Sequence, residues 1–214
     1  MPSVSFGGSW RQPEGKAGGV MIYNSLTRSK VSLVPIDPSG DSLTMYVCGP
    51  TVYDAAHLGH ARTYIQFDVV RRVLRDVAGY DVPYVMNVTD VDDKIILRSR
   101  EKGVTTEALA REWESRCLCD MATLNVERPT AMPRVTEYMD EIVAYVEKIV
   151  SNGFGYADGK GSVYFDTTAF EKAGYGYAKL VPENVGSAEL MAEGEGKLTS
   201  TDATLKRDAK DFAL

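Results

Sequence analysis

The chain has 214 residues, 44% hydrophobic and 25% charged, which suits an ordinary soluble globular protein and excludes disordered and collagen-like classes. Lys and Arg number 24 against 30 Asp and Glu, and the resulting net charge of −6 argues against a stand-alone nucleic-acid binder, which needs surplus cations to neutralise phosphate. No apolar run is long enough to span a bilayer, and three cysteines without a CxxC pair speak for a reducing cytosol rather than a disulfide framework. Residues 1–21 lack an apolar h-region and read as a flexible, Gly-rich leader. From Ile22 to Val34 the pattern supports one short strand, broken by Pro35, Pro38 and Gly40. Leu43, Met45 and Val47 then alternate with Thr44, Tyr46 and Cys48, a strand that Gly49-Pro50 ends in a turn.

A helix is expected over 58–78. Ile65, Val69, Val70, Val73, Leu74 and Val77 recur at three- and four-residue spacing and should face the core, with Arg71, Arg72, Arg75 and Asp76 facing water. Gly79 is a natural stop. Residues 82–88 read as a second strand. Strand, loop, helix and strand make a βαβ unit, hence a parallel sheet with a right-handed crossover. Ligands bind such sheets beyond the carboxyl ends of the strands, where Cys48 and Thr89 sit. Further helices are expected over 92–100, from a Thr105 or Thr106 cap to about Leu124, and from a Thr136 cap with Ile142, Val143, Val146, Ile149 and Val150 on its buried face. A hairpin is expected around Asp158-Gly159, ahead of the β-rich run Val163-Tyr164-Phe165. Residues 182–204, rich in Gly, Ser, Thr and Glu, read as a mobile loop. Residues 211–214 look like the opening of a new strand with nothing to pair it, as in the N-terminal part of a longer protein.

Three features carry chemistry. The only two histidines, His57 and His60, flank Gly59 at the loop-to-helix junction after the first strand. A helix N-terminus offers unpaired N–H groups and partial positive charge to phosphate, Gly59 lets a flat ring or ribose approach the backbone, and two imidazoles can donate to phosphoryl oxygens. The plainer alternative is that they cap the helix or face solvent. Cys48, at a strand tip, is either an inert small hydrophobe or a zinc ligand. Cys117 and Cys119, two apart on a helix, point to different faces and are expected to be structural. Finally, Asp90, Asp92 and Asp93 could bind magnesium but suit the first turn of a helix better.

The strings MYVCGPTVYDAAHLGHARTYIQFDVVRRVLR and MNVTDVDDKIILRS resemble the cysteinyl-tRNA synthetases, a family of class I aminoacyl-tRNA synthetases. His57-Leu58-Gly59-His60 matches the HIGH signature with Leu for Ile, and the likeness extends to residues 23–28, 206–208 and 211–214. The resemblance implies an α/β, Rossmann-like parallel nucleotide-binding fold. Its first half would fill 22–100, a mostly helical connective-peptide insertion with hairpin and mobile loop 101–204, and the start of the second half 205–214. It further implies that Cys48 ligates zinc, which takes the substrate thiolate, and that Gly49, Thr51 and Thr89 contact the amino acid. His57, Gly59 and His60 would bind ATP, with its magnesium, and His57 and His60 would stabilise adenylate formation. The implied partners are L-cysteine, ATP and cysteine tRNA; the sequence itself shows no bilayer-spanning run and no organelle signal, so no membrane is expected and the cytoplasm is the default compartment. The family's other zinc ligands, KMSKS loop and anticodon-contacting domain match nothing here, so this piece is expected to be inactive by itself. The cysteine–amino-sugar ligases of the mycothiol pathway share the CG turn, the HIGH signature and the NVTDVDD string, but Arg62 and Lys94 favour the synthetases. A non-catalytic nucleotide-binding module is the remaining alternative.

Overall fold

The computed structural model describes residues 10–187 and 206–214, so residues 1–9 of the expected leader and 188–204 of the expected loop lie outside the described residues. The chain divides into two compact units. One holds residues 13–22 and 32–139; the described part of the other holds residues 10–12, 23–31, 140–187 and 206–214. Where one strand was expected there are two, β1 (Met21–Asn24) and β2 (Ser29–Ser32), paired in a small sheet. The run turns back because Asn24 Oδ1 accepts from the Leu26 amide at 2.9 Å and Arg28 takes a positive φ of 51°. The described part of the leader is mostly exposed, but Val20 packs against the cluster of Leu43, Tyr80 and Val82.

The first unit is built on parallel pairing of β3 (Met45–Val47) with β4 (Tyr84–Met86). Bridges Ser42↔Asp81 and Thr51↔Thr89 prolong the pair at both ends. On the other side of β4, bridges Val85↔Ala131 and Val88↔Arg134 lay residues 131–134 alongside in the same direction. Pro129 and Pro133 therefore do more than interrupt helices: they sit in or beside an edge segment, where a missing N–H is tolerated. The crossover is α1 (Leu58–Arg72), which continues as a π-helical turn over Val73–Val77. Then come α2 (Asp93–Lys102), capped by Asp92, and α3 (Thr106–Thr123), capped by Thr105. Both pack with strand-tip residues in a cluster of Val52, Val88, Ile95, Leu109, Ala110 and Trp113. The expected boundary between 100 and 101 thus falls inside this unit.

The face of α1 is reversed relative to the expectation. Ile65, Val69, Val70, Val73 and Val77 are exposed, whereas Tyr64 and Asp68 are buried. Leu74 alone of that apolar set packs inward, against the cluster beneath Tyr80. The arginines point to protein rather than water. Arg71 Nη1 donates to the Arg128 carbonyl at 2.9 Å, Arg72 to Asp68 at 2.7 Å and the Asn125 carbonyl at 2.6 Å, and Arg75 to Glu127 at 2.5 Å. At roughly 100° per residue, Tyr64, Asp68, Arg71 and Arg75 fall within about 60° of one another, opposite Ile65, Val69, Val73 and Val77. The side facing the 125–128 loop holds an ion-pair network in place of hydrocarbon.

A 3₁₀ turn at Val135–Tyr138 ends the first unit and leads into α4 (Met139–Ser151), which from Asp140 on belongs to the second. Thr136 is not its cap: the Thr136 amide and hydroxyl donate to the Asp90 carboxylate at 3.0 and 2.5 Å, within the first unit. Val146 and Ile149 are half-buried, while Ile142, Val143 and Val150 remain exposed. β5 (Gly155–Ala157) and β6 (Val163–Phe165) form the expected antiparallel hairpin, its loop held by Asp158 Oδ1, which accepts from Lys160 and Ser162 amides at 2.7 and 3.0 Å. After the short α5 (Thr167–Lys172), residues 182–184 form a 3₁₀ turn. β7 (Phe212–Ala213) does find a partner, antiparallel to β6. Buried Asp211 anchors it, accepting from the Tyr156 hydroxyl at 2.8 Å, the Thr167 amide at 3.0 Å, the Thr167 hydroxyl at 2.8 Å and the Asp208 amide at 3.1 Å.

Candidate functional site

Every sequence-expected site residue lies in the first unit, at the carboxyl ends of β3 and β4 or at the mouth of α1. Cys48 follows β3 and is exposed. Its neighbour is Tyr46, also exposed, whose phenol pKa is raised by desolvation first and then by a hydrogen bond to and the charge of Cys48. The Tyr46 hydroxyl donates to Asn87 Oδ1 at 3.0 Å, and the same oxygen accepts from the Gly49 amide at 2.9 Å. Asn87 Nδ2 donates to Thr89 Oγ1 at 3.3 Å. Thr51 and Thr89 pair directly, with the Thr89 amide donating to the Pro50 carbonyl at 3.0 Å. Gly49 is required sterically: a Cβ there would stand 1.6 Å from the Asn87 carbonyl oxygen.

At the helix mouth the two histidines cap each other's backbone. His57 Nδ1 accepts from the Gly59 amide at 3.0 Å, and His60 Nδ1 accepts from the His57 amide at 3.2 Å. Their ring centroids are 4.0 Å apart. Two N–H groups that the sequence offered to phosphate are therefore already occupied by imidazole. The flat ring that Gly59 admits is that of His57: a Cβ at Gly59 would meet its Cε1 at 2.8 Å and Nδ1 at 2.9 Å. With both Nδ1 atoms accepting, the hydrogen-bond network assigns the proton of each neutral ring to Nε2. The cap thus consumes one nitrogen of each ring and leaves a donor on the other. Burial, and secondarily the neighbouring His57, lowers the pKa of His60. His60 stacks on Tyr64 at 6.5 Å. The Tyr64 phenol is held well above its ordinary pKa by burial first, then by Cys117, Tyr84 and Cys48. Tyr64 is thus the shared neighbour of strand tip and helix mouth.

The carboxylates after β4 disperse. Asp90 turns inward to Thr136, and Asp92 caps α2 by accepting from the Lys94 amide at 2.8 Å. Among the described residues no three His, Cys, Asp or Glu side chains are grouped to hold a metal. Cys117 is half-buried against the β3–β4 core, its thiol pKa raised chiefly by burial, and Cys119 is exposed. Cys48 alone is short of the three protein ligands of a catalytic zinc, so these residues do not compose a zinc site. Asn87, Tyr46 and Tyr64 are the participants that sequence reading missed. Their only advance signal was position: Asn87 directly follows β4, Tyr46 stands two residues before Cys48, and Tyr64 lies one helical turn beyond His60.

A family model described as tRNA synthetases class I (C) catalytic domain matches residues 35–214. A curated relative, "Cysteine--tRNA ligase, cytoplasmic" of Dictyostelium discoideum, is 54% identical over 207 residues, covering 96% of this chain and 31% of that protein. "Probable cysteine--tRNA ligase, mitochondrial" of Xenopus tropicalis is 44% identical, covering 97% of this chain and 34% of that protein. This chain therefore spans only a minor share of the length of the curated relatives it matches. Their names give the amino-sugar ligase alternative no support. Among solved structures, Mycobacterium tuberculosis methionyl-tRNA synthetase in complex with methionyl-adenylate aligns with a TM-score of 0.51 and 19% identity over 61% of this chain and 33% of that chain, a likeness of fold alone. That fold is the α/β, Rossmann-like one. Among the described residues no helix is long and apolar enough to cross a membrane.

Proposed function

We infer the function from kinship: the chain belongs to the family of class I (C) tRNA synthetase catalytic domains. In this reading the protein joins the carboxylate of L-cysteine to the α-phosphate of ATP, releasing pyrophosphate, and then moves the cysteinyl group to the terminal ribose of cysteine tRNA. The structural observation that supports its ATP-dependent half is the histidine cap at the mouth of α1, beside parallel strand tips; the amino acid is read from the relatives' names. Each neutral ring offers an Nε2–H donor to phosphate oxygens, where charge builds during in-line displacement. The lowered pKa of His60 keeps its Nδ1 unprotonated at neutral pH, as the cap requires. Gly49, Thr51 and Thr89 take the amino acid, with Cys48 beside them. ATP arrives with magnesium. Of the zinc ligands that the family resemblance implies, Cys48 is the one among the described residues, with too few donors beside it to hold the metal. The cytoplasm is the proposed compartment, in keeping with the name of the Dictyostelium relative and with three free cysteines.

The test is L-cysteine-dependent exchange of pyrophosphate into ATP by the full-length protein. His57→Asn keeps a good N-cap side chain and removes the imidazole. It is expected to lower the exchange rate about a hundredfold, the scale of one lost transition-state donor, without a loss of melting temperature. Absence of cysteine-dependent exchange in the unsubstituted protein would defeat the reading.

A further inference from the structure

We propose that Asn87 is a positioning residue whose carboxamide bridges a break in the parallel ladder between β3 and β4 and so holds Cys48, Gly49 and Thr89 where the amino acid binds, an inference that rests on the functional reading above. The regular pairing stops at Val47↔Met86 and resumes at Thr51↔Thr89. Between these points lie Cys48, Gly49 and Pro50. Within this gap the Gly49 amide finds a side chain as its acceptor, Asn87 Oδ1, at 2.9 Å. The same oxygen accepts from the Tyr46 hydroxyl at 3.0 Å, so it grips the chain on both sides of Cys48. The amide nitrogen reaches the other strand's tip, donating to Thr89 Oγ1 at 3.3 Å. The main chain of Asn87 adds a steric stop, because its carbonyl oxygen lies where a Gly49 Cβ would be.

A carboxamide is well suited to this post. It accepts twice on one atom and donates from the other without a net charge. An Asp in its place keeps the two accepted bonds and loses the donor to Thr89. A Leu has similar bulk and loses all three. Asn87 touches neither His57 nor His60 through any hydrogen bond found among the described residues, so its influence should fall on the amino acid and not on ATP.

The experiment measures cysteine-dependent ATP–pyrophosphate exchange in the full-length protein carrying Asn87→Leu or Asn87→Asp. Asn87→Leu is expected to raise the KM for L-cysteine about tenfold while leaving the KM for ATP within about twofold, and Asn87→Asp to raise the cysteine KM only about threefold. A merely structural role would reduce the active fraction, and hence kcat, without separating the two KM values. Should Asn87→Leu fail to fold, the Asn87→Asp split between cysteine and ATP decides the matter. Unchanged cysteine KM in the folded variants, or equal shifts for both substrates, would overturn the assignment while the functional reading stands. No exchange by the unsubstituted protein would remove that reading, and this inference with it.

Discussion

Gly59→Ala separates what the histidine cap does for folding from what it does for chemistry. The added Cβ would meet His57 Cε1 at 2.8 Å and Nδ1 at 2.9 Å, closer than real Cβ contacts allow. His57 is exposed, so its ring can rotate away and no backbone need move. Rotation breaks the hydrogen bond from the Gly59 amide, at a cost of about 1 kcal/mol for a lost N-cap. Replacing Gly by Ala inside a helix returns up to about 1 kcal/mol, less in the first turn. The two terms nearly cancel, and a residual of about 0.5 kcal/mol corresponds to a melting-temperature change of about 1–2 °C for a cooperative unit of about 200 residues. The displaced ring no longer holds Nε2–H at the helix mouth, so adenylate formation should fall about a hundredfold. Differential scanning calorimetry and pyrophosphate exchange on the full-length protein measure the two quantities side by side. Exchange within about twofold of the unsubstituted protein would refute the role given to the His57 ring. A melting-temperature loss of about 8 °C or more would show that the cap is a structural keystone instead.

Four further outcomes are expected. Gly49→Ala places a Cβ 1.6 Å from a backbone oxygen that cannot swing aside, and should destabilise the protein by about 3 kcal/mol or more in urea titration; a change under about 1 kcal/mol would contradict the close approach. His60 has its folded pKa below its unfolded 6.5, so stability is complete above about pH 6.5 and declines as the pH falls and the unfolded state takes up the proton first; an imidazole pKa at or above 6.5 by NMR would reverse that sign. This chain, purified without added sequence, should hold no stoichiometric zinc by mass spectrometry; one equivalent that Cys48→Ser abolishes would overturn that expectation. Asp211→Ala strips four hydrogen bonds from a buried knot and leaves Thr167 unsatisfied, so trypsin should cut faster after Arg207 and Lys210; unchanged proteolysis would mean that the knot does not retain β7.

The βαβ core was legible because its signals are local. Alternation over 43–48 gave β3, Gly49-Pro50 gave its end, Thr105 or Thr106 stood ready to cap α3, and Asp92 marked the start of α2, where it proves to be the cap. What failed were statements needing knowledge of distant partners. Thr136 reads as a helix cap by type, but Asp90, 46 positions away in sequence, competes for its hydroxyl and amide. Residues 211–214 read as a strand without a mate because the mate is a hairpin some fifty positions earlier. At the site, the sequence supplied His57, Gly59 and His60 as a group but not their mutual geometry. The same Nδ1 atoms that satisfy the first turn fix the tautomer, so the capping and phosphate-binding readings posed as alternatives are compatible.

The reversed helix shows why periodicity alone could not orient α1. A hydrophobic stripe tells which side chains share a face; it does not tell which face is covered. Here the polar face has the stronger local claim, because Asp68 receives both Arg72 and the Glu127 amide at 2.7 and 3.1 Å, and Arg71 and Arg75 close the network onto the 125–128 loop. Breaking that set would strand a buried carboxylate, whereas exposing valines forfeits only their transfer free energy. The helix therefore docks by its charges and leaves Val69 and Val73 about half exposed, at 53% and 49%. Polar replacement at these two positions in this chain should consequently leave its folding nearly untouched by urea titration, unlike the same replacement at Tyr64, which is 5% exposed and packs with Val47, Tyr84 and Met86.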